Sequence, residues 1–306
     1  MTKVFIDGSS GTTGLRIYDR LKARDDLELL ILEDDKRKDP LYIKEYINKS
    51  DITFLCLPDD AAREAVTFLE NDNTVIIDTS TAHRTDKLFT YGLPELKNQK
   101  EKIINSKKIA NPGCHATGFI SLIAPLIENN VLKKDIKLSC TSITGYSGGG
   151  KKMISQYENE FDTLLSSPRL YSLNQTHKHL KEIKEVCKLD FFPIFNPVVS
   201  NFYSGMQVIV PLFTDDISCS INDLKALYND YYKEGLISFK DNIDDNGFIS
   251  STILKDKDNL FVTVIGNEDR INLISVFDNL GKGASGAAIQ NMNIILGIDE
   301  KTGLNV

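Results

Sequence analysis

No apolar stretch in this chain approaches the roughly 20 residues that a membrane-spanning helix needs. Nor does the N-terminus have the layout of a signal peptide, because Met1-Thr2-Lys3 runs straight into an apolar strand. Cysteine is scarce and scattered: there are five, none in a CxxC pair. That argues against a disulfide framework and for reduced thiols in a reducing compartment. No spacing of His and Cys recommends a metal site, and none is expected. Long runs of one charge are missing as well. With 36 basic against 43 acidic residues and a net charge of −7, the balance speaks against nucleic acid or an anionic membrane as partner. A cytoplasmic protein is the expectation. No internal repeat is found, and only the Asp/Asn-rich turn at Asp241–Gly247 is compositionally biased.

What remains is a chain of 306 residues, 41% hydrophobic, enough for a large core and, on size, two domains. Val4–Asp7, Leu29–Leu32, Ile52–Leu57 and Val75–Asp78 are near-continuous Val/Ile/Leu runs, the pattern of parallel strands buried on both faces. Helical spacing over Gly14–Ala23 and Ala61–Glu70 separates them, which predicts a doubly wound, Rossmann-type α/β sheet. Beyond Pro112 the rhythm changes. Helices are predicted at Thr117–Ile127, Lys151–Leu165, Thr176–Cys187 and Ile221–Tyr232, with strands at Lys137–Thr144, Met206–Leu212, Leu260–Ile265 and Asn272–Phe277. That order implies an α+β domain with its own mixed or antiparallel sheet. From Gly281 a small-residue turn leads into a helix with Ile289, Met292 and Leu296 on one face.

The first strand runs into Gly8-Ser9-Ser10-Gly11-Thr12-Thr13-Gly14, then a helix expected to begin near Leu15. A phosphate at a helix N-terminus needs bare backbone amides, and three glycines allow the tight turn, the close approach and the helix–sheet packing. Ser9, Thr12 and Thr13 add hydroxyl donors. The spacing is GxxGxxG rather than GxGxxG, so its place between strand and helix carries the assignment to a dinucleotide. After the second strand, Glu33-Asp34 suits a ribose hydroxyl and Lys36-Arg37-Lys38 suits a 2′-phosphate, which leaves NAD against NADP open on charge alone.

In Asn111-Pro112-Gly113-Cys114-His115-Ala116-Thr117-Gly118 the cysteine falls at the start of a core-facing helix, where the dipole and unsatisfied amides stabilise a thiolate. Pro125 is expected to bend or shorten that helix. Cys56, Cys140 and Cys187 fall on apolar strand or helix positions and read as small buried hydrophobes. Histidine is rarer still, with four residues at 83, 115, 177 and 179. His177 and His179 open a predicted helix, where residues two apart diverge, so one of the two is expected to face the site as an acid–base partner of Cys114.

Together the segments around Gly8–Gly14, Asp78–Arg84, Gly92–Leu96 and Asn111–Gly118 resemble those of the N-acetyl-γ-glutamyl-phosphate reductase family. So do Gly145–Lys152, Thr176–His179 and Leu280–Asn291, and the likeness runs nearly end to end at the length of the family's shorter branch. The resemblance implies reduction of an acyl phosphate to an aldehyde, the third step of arginine biosynthesis, with NADP as cofactor. It implies Cys114 as nucleophile and one histidine, His177 by preference, as acid–base. Substrate contacts fall to Arg84, Lys151 or Lys152, and His179, and Gly283, Gln290 and Asn291 return to the cofactor. Domains of 1–112 with 283–306, for the dinucleotide, and 113–282, for catalysis and oligomerisation, are implied. So is a homo-oligomer, a dimer or tetramer, acting on a small-molecule acyl phosphate. Aspartate-semialdehyde dehydrogenase shares the Cys/His logic but not the combined THxH and NPGCHATG segments. A non-catalytic NADP(H) sensor accounts for the glycine loop and leaves Cys114 without purpose.

Overall fold

The computed structural model describes all 306 residues and divides into two compact units, Met1–Pro112 with Ala284–Leu304 and Gly113–Gly283 with Asn305–Val306. In the first unit the chain forms β1 (Thr2–Asp7), α1 (Thr12–Leu21), β2 (Leu27–Leu30), α2 (Pro40–Lys49), β3 (Ile52–Leu55), α3 (Asp59–Thr67) and β4 (Val75–Asp78). It continues through β5 (Thr90–Tyr91), α4 (Gln99–Ile104) and β6 (Lys108–Ala110). The strands order as β2-β1-β3-β4-β6-β5, and every neighbouring pair is parallel. Strand order reverses between β1 and β3, the switch point outside whose carboxyl ends doubly wound sheets bind ligands.

The second unit holds α5 (Cys114–Glu128), β7 (Ser139–Gly145), α6 (Gly150–Asn159), β8 (Arg169–Leu170), α7 (His179–Cys187), β9 (Ile194–Ser200) and β10 (Met206–Phe213). After these come α8 (Ile221–Tyr231), β11 (Ile237–Phe239), β12 (Leu260–Gly266) and β13 (Arg270–Phe277). Its sheet runs β11-β12-β13-β10-β7-β9-β8 and is mixed: β7–β9 and β11–β12 are parallel, the other pairs antiparallel. The chain then returns to the first unit as α9 (Gly286–Ile295), whose Ile289 and Met292 share one core with Val4, Ile6, Phe54 and Ile77. A Rossmann-type sheet plus an α+β unit with a mixed sheet is therefore the observed class.

Several boundaries differ from expectation for local reasons. Helix α1 begins at Thr12, not near Leu15, because Gly11 already has extended dihedrals and serves as N-cap. The 151–165 segment is a helix only to Asn159, then extended chain and a short 3-10 turn at Thr163–Ser166. Pro125 neither ends nor shortens α5, which continues to Glu128. The carbonyl that Pro125 leaves without its helical N–H is that of Ser121, and the Tyr232 hydroxyl donates to it at 2.7 Å.

Candidate active site

Unit one presents the end of a strand to the start of a helix. Gly8 has φ +83°, and a β-carbon there would lie 2.3 Å from the Cys56 carbonyl oxygen, at the carboxyl end of β3. A β-carbon on Gly14 would lie 2.3 Å from the Gly8 oxygen. These two glycines fold the loop back on itself against the sheet, while Gly11 caps α1 without any side-chain acceptor in the way. First-turn amides precede the Leu15 N–H to Gly11 O bond of 2.8 Å and face out of the helix end beside the half-buried Ser9, Thr12 and Thr13. A dinucleotide phosphate fits such a cradle. Below it, Asp7 is buried with its Oδ2 lacking any hydrogen-bond partner, and burial pushes its carboxyl up to about 6 against a Gly8 N–H bond that lowers it.

Other expected residues of this unit are committed to it. Arg84 donates through Nε to the Asn111 oxygen at 2.9 Å and through Nη2 to the Thr79 oxygen at 3.0 Å, bracing the ends of β4 and β6. Gln290 is fully buried, and its Nε2 donates to Glu95 Oε1 at 2.9 Å and Glu300 Oε2 at 2.7 Å, so both amide hydrogens serve carboxylates of the same unit. Asn291 differs: Nδ2 donates to the Gly92 oxygen at 2.9 Å, while its buried Oδ1 has no partner. The charges after β2 neutralise one another, with Lys36 and Glu33 at 2.6 Å and Arg37 and Asp34 at 2.6 Å. His83 does not join the other histidines. Its Nδ1 lies 2.7 Å from Asp78 Oδ2, and its ring stacks on Phe89 at 4.2 Å.

Unit two holds the cysteine expected at a helix start. Cys114 is the first residue of α5, half-buried, with extended Gly113 as N-cap. Burial pushes the thiols of Cys140 and Cys187 up, lifts Cys56 to about 12, and raises Cys219 too. The Gly113 N–H donates to Glu182 Oε1 at 2.8 Å, a fully buried tie between α7 and the approach to the cysteine. Gly283, expected as a cofactor contact, belongs to this unit, and a β-carbon there would stand 2.9 Å from Cys114 Cβ. Only glycine leaves the sulfur's neighbourhood open on that side.

Three histidines gather beside the cysteine's helix. The rings of His115 and His177 are 5.2 Å apart, His115 and His179 5.5 Å, and His177 and His179 4.7 Å, with Phe195 5.3 Å from His115. The expected divergence of 177 and 179 is thus overturned. Residue 177 lies before α7, so helical spacing does not govern it, and both rings turn to one cluster. His177 Nδ1 accepts the His179 N–H at 3.2 Å. His115 Nδ1 lies 2.7 Å from Ser142 Oγ and its Nε2 2.7 Å from the Tyr171 hydroxyl. Burial foremost, and His177 after it, push His115 down to about 3, so it is neutral. No group of three or more His, Cys, Asp or Glu side chains is arranged to hold a metal ion. Lys151 stands exposed in the first turn of α6.

Sequence reasoning missed Glu182, Ser142 and Tyr171. Glu182 carried a usable signal, one turn beyond His179 on an otherwise core-facing helix. Ser142 and Tyr171 carried none, because strand pairing across the second sheet brings them to His115.

Comparison with known proteins decides the family. A model described as "Semialdehyde dehydrogenase, NAD binding domain" matches residues 3–104, and one described as "Semialdehyde dehydrogenase, dimerisation domain" matches 114–279. Proteins of Brucella ovis and Brucella canis named N-acetyl-gamma-glutamyl-phosphate reductase are each 43% identical over 306 residues, spanning 96% of this chain and 99% of theirs. The chain belongs to the N-acetyl-gamma-glutamyl-phosphate reductase family. Its fold is that of solved aspartate semialdehyde dehydrogenases. One from Vibrio cholerae superposes with a TM-score of 0.72 at 19% identity, over 97% of this chain and 99% of that one. Another, from Candida albicans and solved with NADP, has a TM-score of 0.67 at 12% identity over 97% and 99%. This reductase family member has no helix long and apolar enough to cross a membrane.

Proposed function

We propose that the chain is an oxidoreductase that uses NADPH to reduce N-acetyl-γ-glutamyl phosphate to N-acetylglutamate γ-semialdehyde, releasing phosphate, through a thioester on Cys114. The observation that carries this reading is Cys114 at the amide end of α5, in the unit that holds the His177–His179 pair. Relatives named for this reductase span the same length.

The Cys114 thiolate attacks the acyl carbon, and the carbon–oxygen bond to phosphate breaks with its electron pair leaving on phosphate. When bound, the reduced nicotinamide supplies hydride. The carbonyl π pair then moves onto oxygen, where first-turn amides of α5 meet the developing charge. His177 Nε2 delivers a proton to give the hemithioacetal, then takes the hydroxyl proton back as the carbon–sulfur bond breaks, freeing aldehyde and thiolate. Gly8, Ser9, Gly11, Thr12, Thr13 and Gly14 hold the dinucleotide phosphates, with Asn291 Oδ1 as an acceptor for a cofactor donor. NADP is the cofactor of choice in this reading, with Lys36–Lys38 turning from Glu33 and Asp34 to the 2′-phosphate. Arg84, Lys151 and His179 take the anionic groups of the substrate. A cytoplasmic homo-oligomer completes the reading, which the dimerisation-domain match over 114–279 supports.

The test is phosphate-dependent reduction of NADP⁺ by N-acetylglutamate semialdehyde, repeated with Cys114→Ser, with NAD⁺ and with aspartate semialdehyde. Activity that needs phosphate, prefers the acetylated substrate and disappears in the serine variant is expected. Turnover of aspartate semialdehyde alone would keep the mechanism and overturn the substrate. Tight NADP⁺ binding without turnover of either aldehyde would favour a sensor.

A further inference from the structure

His177 lies in the turn between β8 and α7, so no helical periodicity sets its side chain. The turn itself is anchored. Gln175, at φ +57°, donates through Nε2 to the Phe195 oxygen of β9 at 2.8 Å and accepts the Phe195 N–H through Oε1 at 2.8 Å. Four rings then wall the His177 imidazole: His179 at 4.7 Å, Phe195 at 5.1 Å, His115 at 5.2 Å and Tyr171 at 5.9 Å. Two of the four are joined, because His115 Nε2 lies 2.7 Å from the Tyr171 hydroxyl. On the other side His115 Nδ1 lies 2.7 Å from the hydroxyl of Ser142, a fully buried residue of β7. A buried hydroxyl hydrogen without an acceptor is costly, so Ser142 donates to Nδ1. The one hydrogen of the neutral imidazole then resides on Nε2 and goes to Tyr171. Tyr171 is fixed in turn by its N–H, which donates to the Pro197 oxygen of β9 at 3.0 Å. His115 is thus held at both nitrogens and 3% exposed, with neither nitrogen left for substrate.

We propose that His115 is a positioning residue: clamped between Ser142 and Tyr171, it forms with Tyr171 the wall that sets the His177 ring for proton transfer. The proposal rests on His177 as the acid–base. The rings of His115 and His177 meet edge to face at 77°, and those of Tyr171 and His177 at 62°. Contacts of that geometry on two sides fix the plane of the imidazole. Proton transfer depends steeply on that plane, since a misplacement of about 1 Å can cost on the order of 100-fold. His115 also spares His177 a like charge. An imidazolium 5.2 Å away would lower the His177 pKa by about two pH units at an effective permittivity of about 20. The Ser142 donation and burial, which pushes His115 down to about 3, both keep the wall uncharged. The other titratable groups against His177 are Tyr171 and His179.

The experiment is nitrogen-15 NMR of the histidine-labelled full-length protein from pH 5 to 9, with kcat and KM from the reductase assay, for wild type, His115→Phe and Ser142→Ala. In the wild type the His115 ring should hold the Nε2–H tautomer without titrating, and His177 should give one sharp set of resonances. His115→Phe keeps a ring but loses both ties. It should broaden the His177 resonances and lower kcat about tenfold at every pH, with KM within about twofold and the pH midpoint of kcat unmoved. Ser142→Ala should do the same by less. Alkylation of Cys114 by iodoacetamide should stay within about twofold; a loss matching that of kcat would assign the effect to the neighbouring nucleophile and overturn the proposal. Unchanged kcat in His115→Phe would overturn it too, because the ring would then set nothing. Disappearance of the kcat titration in that variant would instead make His115 the proton carrier, and a wild-type His115 that titrates between pH 5 and 9 is not clamped; either result sinks the assignment. Where His115→Phe fails to fold, Ser142→Ala and the wild-type spectrum decide. Absence of turnover in the wild type would strike at the substrate assignment, and the sharpness of the His177 resonances in variant against wild type would then judge His115.

Discussion

Two buried groups make opposite demands on the acidity of the medium. His115 is held down to about 3 from an ordinary 6.5. Between those values the unfolded chain binds a proton that the folded one refuses, so stability is lost as pH falls through that window. Asp7 is pushed up from 3.8 to about 6, so the folded chain holds the proton more readily. Its contribution is present at low pH and is lost as pH rises through about 6, a penalty on the order of 3 kcal/mol above it. Asp7→Asn is accordingly expected to raise the urea midpoint at pH 8 and to change it little at pH 4. A midpoint lowered equally at both would show that the carboxylate is stabilising. His115→Gln should flatten the loss of stability between pH 6.5 and 4, whatever it does to the value at neutrality, and a wild-type slope in that variant would refute the assignment. Cys114 was legible in the sequence because Pro-Gly before it and a core-facing helix after it describe a helix start. The Ser142–His115–Tyr171 chain was not, because its members are 27 and 56 positions apart and meet only through the sheet.

Among elements, α5 matters most to the site, and its seat on the second sheet depends on a missing side chain. A β-carbon at Gly118 would lie 2.4 Å from Val208 Cγ2 and 2.8 Å from Ser275 Oγ. Gly118→Ala must therefore lift the helix or displace β10 and β13, at about 1–3 kcal/mol. Because Cys114 is one turn away, kcat should fall along with the melting temperature; full activity in a destabilised variant would mean that the helix end does not move with its middle. In the glycine loop, Gly8→Ala meets backbone at 2.3 Å with φ +83°, and loss of dinucleotide affinity is expected, readable by fluorescence of bound NADPH. The buried parallel strands β1, β3 and β4 were legible because burial on both faces forces unbroken apolar runs. Strand β9 was not: Ile194-Phe195-Asn196-Pro197 places a proline where a central strand is not expected, and polar α2 gives a weak helical face.

At the scale of the whole chain, the second unit is an insertion into the first. Asn111 Nδ2 donates to the Ala284 oxygen at 3.0 Å, so the two cut ends of the first unit lie side by side. Its core also needs the returning helix, since Ala288, Ile289 and Met292 are packed among β1, β3 and β4 residues. A fragment of residues 1–112 is expected to lack cooperative unfolding, whereas 1–112 joined to 284–304 by a few glycines should fold and bind dinucleotide. Cooperative melting of the short fragment alone would show that α9 is dispensable. The rhythm of strands and helices announced the parallel sheet and the second, mixed one, but not the approach of Gly283 to Cys114.

The same splice has a consequence for inheritance. Cys114, Glu182 and the three clustered histidines all lie between the two crossing points, and the glycine cradle and the charges after β2 all lie outside them. With the proposed roles, exchange of the 113–283 cassette between relatives would carry the acyl chemistry as one parcel and leave the choice of reductant with the host, so that the two halves of the proposed reaction would be separately heritable.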